Sequence, residues 1–208
     1  MEMRWISGVS RGRLGLISVM LAATSLSACV QTAPEEAMSF AAPPMQWDHH
    51  PEAEEWTEST LVALSTKDPI LSEHVPADIE SWCPGYAEAP VEERRAFWAG
   101  LLSAVARYES TWNPAASGGG GRWIGLMQIS PRSAANYGCE ATSVNALKDG
   151  EQNLECAVEI MSTQVAKDGM VAGGGNRGIG RDWAPLRSSE KRAAMAAWTR
   201  EQAYCQAG

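Results

Sequence analysis

The chain is poor in the residues from which most catalytic sites are assembled. It has three histidines, His49, His50 and His74, and all precede Cys83. No histidine downstream can activate Ser110 or Ser117, which sets aside a serine nucleophile. The five cysteines include no Cys-x-x-Cys spacing, so a zinc site is not expected, and no metal or cofactor is implied. His49-His50 beside Asp48 reads as solvated linker rather than a metal site. Neither glycine loop ends in Gly-Lys-Ser/Thr. Gly173-x-Gly175-x-x-Gly178 matches the dinucleotide spacing in letters only, without the strand and helix that give it meaning. Basic residues are outnumbered, 17 against 25 acidic, for a formal net charge of −8. That argues against nucleic acid as a partner. No sustained alternation of polar and apolar residues points to a large sheet.

The N-terminus reads as a secretory signal. Arg4, Arg11 and Arg13 make it positive, Leu14 to Ala23 is almost wholly apolar, and Leu26-Ser27-Ala28-Cys29 follows with small residues before a cysteine. The apolar run is shorter than the roughly 20 residues of a membrane span. The tetrad resembles a bacterial lipobox, with cleavage before Cys29 and lipid on its thiol, which anchors a protein without a spanning helix. Val30 is not the aspartate associated with inner-membrane retention, so the periplasmic face of the outer membrane is the expected location. Lipid on Cys29 also resolves an odd cysteine count. It leaves Cys83, Cys139, Cys156 and Cys205, which can pair in three ways. The expected pairs are Cys139–Cys156 and Cys83–Cys205, the first tying a loop to the next helix and the second clasping the domain's ends. Removing residues 1–28 takes three arginines and one glutamate, which leaves 14 basic and 24 acidic residues.

Residues 29–53 are rich in Ala, Pro and Glu without a hydrophobic period, and are expected to be a flexible tether. Residues 54–78 are expected to hold a short helix, with Trp56, Leu61 and Leu64 as its apolar positions, and a connector. Residues 79–208 then form one domain with one core. Within it Phe97, Trp98, Leu101, Leu102, Val105 and Ala106 recur at helical spacing after Pro90, Glu92 and Glu93. Leu154, Ala157, Val158, Met161 and Val165 mark a second helix and Pro131 opens a short one. Ser188 or Ser189 caps a last helix over Glu190–Tyr204, with Ala193, Ala194, Ala197 and Trp198 expected to face inward. The fold class is mainly α, with room for one short β-hairpin between Gly121 and Ser130.

The most informative stretch is Tyr108-Glu109-Ser110-Thr111-Trp112-Asn113-Pro114, followed by Gly118–Gly121 and Gly125-Leu126-Met127-Gln128-Ile129-Ser130-Pro131. Asn113-Pro114 stops the helix and leaves Glu109 near its C-terminal end. There the helix carbonyls disfavour a charged carboxylate, and apolar neighbours remove its solvation. Both effects raise the pKa, as the general acid of glycosidic cleavage requires. Other carboxylates, Glu140, Asp149, Glu151, Glu155 and Asp182, stand in polar contexts that suit surface or helix-end roles.

This run resembles the catalytic core of the lytic transglycosylases, in the superfamily that includes goose-type lysozyme. The resemblance covers about residues 95–165 and implies a lysozyme-like domain. It also implies that Glu109 acts alone on peptidoglycan glycan strands: it protonates the MurNAc–GlcNAc bond while the muramyl C6 hydroxyl closes a 1,6-anhydro ring. By the same resemblance Met127 and Gln128 line the sugar cleft and Ser117 touches a sugar or peptide group. Trp123, Tyr137 and Trp183 either stack on sugar rings or belong to the core. The chain departs from the family near its C-terminus, where Ala197-Trp198-Thr199-Arg200 replaces a Tyr-Asn-x-Gly segment whose tyrosine approaches the glutamate. Tyr137 and Trp183 are the candidates to replace that contact. A muramidase on the same fold and an inactive murein-binding lipoprotein are the rival readings. A monomer is expected.

Overall fold

The structure, a computed structural model, describes residues 42–67 and 69–206. The expected signal peptide, the lipidation site Cys29 and the tether up to residue 41 lie outside the described residues.

Helix α3 (Val91–Glu109) is the centre of the fold. Pro90 sits just before it in extended geometry, and Glu92 and Glu93 occupy the first turn, where the helix dipole favours acids. The apolar spacing holds, but burial goes beyond one stripe. Every residue from Ala96 to Ala106 is buried, so α3 is surrounded rather than laid on a surface. Helices α1 (Ala53–Thr66), α2 (Pro69–Glu73) and α6 (Ser189–Glu201) pack around it, and α5 (Gly150–Asp168) lies against α1.

Caps explain most of the boundaries. Asp149 accepts a hydrogen bond from the Gln152 amide at the start of α5, and Gly169 ends that helix in the left-handed region. Ser130 does the same for α4 (Pro131–Tyr137) through the Ser133 amide, and Gly138 closes it. In α6 the cap is Ser188, which accepts from the Lys191 amide, and the helix stops at Glu201, short of Tyr204. Its buried residues are Met195 and Thr199, while Ala193, Ala194 and Ala197 are exposed and Trp198 is half-buried. Alanine tolerates either face of a helix, so an alanine-rich segment carries little directional information.

The only sheet among the described residues is a hairpin, β1 (Ser117–Gly118) with β2 (Trp123–Ile124), extended by a bridge between Ile124 and Ile129. It begins earlier than expected, at Ser117. The result is a mainly helical, lysozyme-like domain with one small hairpin.

The structure corrects the extent of the tether. Residues 42–53 are packed: Met45 is 4% and Trp47 0% exposed, the Trp47 indole donates to Thr57 Oγ1, and the Gln46 amide donates to Ser103 Oγ in the middle of α3. Two buried apolar side chains, together with these hydrogen bonds, dock a segment that has no hydrophobic period. Helix α1 also belongs to the core, with Trp56, Ala63 and Leu64 buried. Disulfides join Cys83 to Cys205 and Cys139 to Cys156.

Candidate active site

Glu109 is the last residue of α3. Thr111 and Trp112 follow with φ of 54° and 57°, left-handed values that a β-branched and an aromatic residue rarely adopt. They turn the chain sharply away from the helix axis. The turn is held from within, since the Trp112 indole donates to Ser103 O at 2.9 Å and the Thr111 amide to Arg107 O at 3.2 Å. His49 lies against the Trp112 ring from the N-terminal segment, with centroids 4.7 Å apart. The end of the helix is thereby fixed, and with it the direction of the Glu109 side chain.

The Glu109 carboxyl is half-buried and has no hydrogen-bond partner among the described residues. Lost hydration pushes its pKa up from 4.5 to about 7, against the pull of the Lys191 and Arg187 charges. Neither cation is within ion-pairing distance of it. The carboxyl therefore holds a proton near neutral pH.

The loop from Gly125 to Ile129 is built around one side chain that sequence reasoning missed. Asn153 is fully buried in α5. Its amide nitrogen donates to Ile124 O at 3.0 Å and Leu147 O at 2.9 Å, and its oxygen accepts from the Met127 amide at 2.9 Å. The fit is close. A Cβ on Gly125, where φ is 79°, would lie 2.1 Å from Leu147 O and 2.3 Å from Asn153 Nδ2. The sequence did hold a signal, a polar residue beside the apolar stripe of α5.

The expected substrate contacts divide into two groups. Ser117 is exposed on β1, and Trp123 on β2 is 44% exposed, its ring lying over Gly119, where a Cβ would come within 2.2 Å of it. Gln128 is half-buried with φ of 49°, and its amide nitrogen donates to Gly125 O at 2.9 Å. These three remain available to a ligand on one loop system. Met127 and Trp183 do not. The Met127 side chain is fully buried, and Trp183, 3% exposed, donates its indole N–H to Met127 O at 3.0 Å. Both are core residues that hold the loop, because their apolar surface finds more contact inside than at a polar cleft. Tyr137 is half-buried, with its hydroxyl donating to Asp182 Oδ2 at 3.0 Å and accepting from Gln164. Neither Tyr137 nor Trp183 makes a hydrogen bond to Glu109; Tyr137 bonds to Asp182 and Gln164, and Trp183 to Met127 O. Charges from Lys191 and Arg187 act on Glu109, and no sequence signal linked them to a glutamate so far upstream.

The remaining carboxylates are engaged elsewhere. Glu140 and Glu155 pair with Lys67 at 3.3 and 3.4 Å, Asp149 caps α5, Asp182 serves Tyr137, and Glu151 is exposed in the first turn of α5. The second glycine loop is likewise accounted for. Asp78 accepts from the amides of Val171, Ala172 and Gly173, and Asp168 from that of Gly178. Carboxylates of the chain itself thus occupy the donors that a phosphate would need. No group of three or more His, Cys, Asp or Glu suited to a metal ion occurs among the described residues. No described helix is long and apolar enough to cross a membrane.

Comparison with solved structures finds the same architecture in DslA (Bd0314). Its wild-type form superimposes with a TM-score of 0.72 at 29% identity, over 80% of this chain and 100% of that one. A glutamate-to-glutamine variant gives 0.72 at 30% identity, over 79% and 98%, and a second such variant gives 0.71 at 29%. No curated protein matches. The family model described as the transglycosylase SLT domain matches residues 89–197, from just before α3 into α6, with Glu109 inside the match. The chain belongs to the transglycosylase SLT domain family, whose members are peptidoglycan enzymes of the lytic transglycosylase type.

Proposed function

We propose that the protein is a peptidoglycan lytic transglycosylase in which Glu109 is the single catalytic carboxyl. The observation that carries this is the isolation of that group. Lost hydration pushes its pKa up to about 7, and the charges that act on it are the cations Lys191 and Arg187, with no second carboxylate among them. A hydrolase of the ordinary kind pairs two carboxyls across the scissile bond. One suffices when the substrate brings its own nucleophile. Glu109 gives its proton to the glycosidic oxygen as the bond to muramyl C1 breaks. The C6 hydroxyl of the same sugar attacks C1, and its proton returns to Glu109. The products are a 1,6-anhydromuramyl end and a free hydroxyl on the leaving sugar, with no water consumed.

Ser117, Trp123 and Gln128 are the proposed substrate contacts, on the hairpin and the turn beyond it. A glycine-lined loop lets saccharide approach the backbone closely, and an exposed indole offers a face for a sugar ring. Lipid on Cys29 would hold the enzyme at the periplasmic face of the outer membrane as a monomer, and the intact mass of detergent-extracted protein tests for the acyl groups.

Exchange of Glu109 for Gln tests the mechanism. The amide keeps size and polarity but transfers no proton, so turnover of purified peptidoglycan should fall at least about a hundredfold. In the wild type, kcat/KM should decline as pH rises through about 7, where Glu109 loses its proton. Near-normal turnover by folded Glu109→Gln protein would end this reading.

A further inference from the structure

The protein is acidic overall, but its charge is unevenly distributed. Residues 171–200 contain six basic side chains, Arg177, Arg181, Arg187, Lys191, Arg192 and Arg200, against two acids, Asp182 and Glu190. Some of these cations have structural duties. Arg181 pairs with Asp168, while Arg187 and Arg192 donate to backbone carbonyls. Lys191 has none of that kind. It makes no ion pair among the described residues, and its ammonium lies 5.3 Å from the centre of the Tyr108 ring, on the residue preceding Glu109. Lys191 also sits in the first turn of α6, where the helix dipole disfavours a cation. Its ammonium is exposed and held over the last turn of α3, where its charge reaches Glu109.

Building on the reaction proposed above, we infer that Lys191, reinforced by the charge of Arg187, forms a subsite beside Glu109 for a carboxylate carried by the muramyl residue. The chemistry of the substrate selects that group. N-acetylglucosamine is neutral. N-acetylmuramic acid carries a lactyl ether at C3, on the same ring as the C1 whose glycosidic bond breaks. Its carboxyl is free where the stem peptide has been removed. Where the peptide is present that carboxyl is an amide, and the negative charge lies on the peptide's own carboxylates. A cation close to the acid, but outside ion-pairing range of it, can bind either kind of carboxylate without neutralising Glu109. The site would therefore favour anionic glycan over the same glycan with its carboxyls blocked.

The test reads binding in Glu109→Gln protein, so that it does not depend on the reaction being correct. Calorimetry would compare three ligands: peptide-free glycan fragments with free lactyl carboxylates, the same fragments with those carboxylates converted to methylamides, and peptide-bearing fragments. Methylamidation should weaken binding about fivefold, the scale of one partly exposed charge-assisted contact. Adding Lys191→Met should remove that difference, Lys191→Arg should largely restore it, and high salt should erase it. A Lys191 effect confined to peptide-free fragments assigns the subsite to the lactyl carboxylate, and one confined to peptide-bearing fragments assigns it to the stem peptide. Equal binding of free and methylamidated fragments, with no Lys191 effect on peptide-bearing ones, would overturn the inference. An unchanged charge preference in folded Lys191→Met protein would do the same. Failure of wild-type enzyme to release anhydro ends would overturn the reaction and leave this binding result standing on its own.

Discussion

A carboxyl held protonated by lost hydration makes stability depend on pH, and the direction follows from the two pKa values of Glu109. Below about pH 4.5 the group is protonated in both the folded and the unfolded chain and contributes no penalty. Between 4.5 and about 7 the unfolded chain releases the proton while the folded protein keeps it, so stability falls as pH rises. Above about 7 the full cost of an under-solvated carboxylate is present, roughly 3 kcal/mol by the usual conversion. Glu109→Gln should therefore raise the unfolding midpoint at pH 8 by several degrees and change it little at pH 4, as calorimetry at the two pH values will show. Equal midpoints for wild type and variant at pH 8 would mean that Glu109 is ordinarily solvated. The proton-holding role was legible in the sequence because Glu109 ends a recognisable apolar helix. The opposing influence of Lys191 and Arg187 was not, because those charges reach the site through packing across some eighty residues of chain.

Secondary-structure elements differ in how plainly they announce themselves. Helices α3 and α5 were legible because bulky apolar residues recur at helical spacing, although burial in both extends beyond the stripe that the spacing marks. Helix α6 was not oriented correctly, since three alanines placed outside by the fold look the same in sequence as three placed inside. The loop of Gly125 to Ile129 was legible as a motif, but its support was not. Asn153, from the first turn of α5, satisfies three backbone groups of the loop and its neighbour. Asn153→Ala would leave those buried groups unpaired, and a loss of about 3 kcal/mol or more is expected from denaturant unfolding, together with reduced turnover. Asn153→Asp should do no better, because an ionised carboxylate would face two carbonyl oxygens. Wild-type stability in Asn153→Ala would show that Asn153 does not hold the loop. Residues 42–53 teach a related lesson. Their composition suggested a tether, yet Met45 and Trp47 are buried, and hydrogen bonds to Thr57 and Ser103 and the His49–Trp112 ring contact help to dock them.

The whole molecule is closed by its disulfides. The Cys83–Cys205 bond spans 122 residues and ties the chain before α3 to the chain after α6, while Cys139–Cys156 spans 17 and joins the end of α4 to α5. By loop entropy the long ring is worth about 5 kcal/mol and the short one about 3. Loss of Cys83–Cys205 through a Cys83→Ala, Cys205→Ala pair should thus lower stability more than loss of Cys139–Cys156. The reverse order in chemical denaturation would show that the clasp is not the dominant brace. With the body closed in this way, the end of α3 and the first turn of α6 are held together beside Glu109. The central claim is that this acid works without water, and product mass tests it most directly. Purified wild-type protein, incubated with peptidoglycan, should release muropeptides with 1,6-anhydromuramyl ends, lighter by one water than hydrolysed ones and free of label from isotopically marked solvent water. Products with reducing muramyl ends that carry the solvent label would contradict the account and identify a hydrolase.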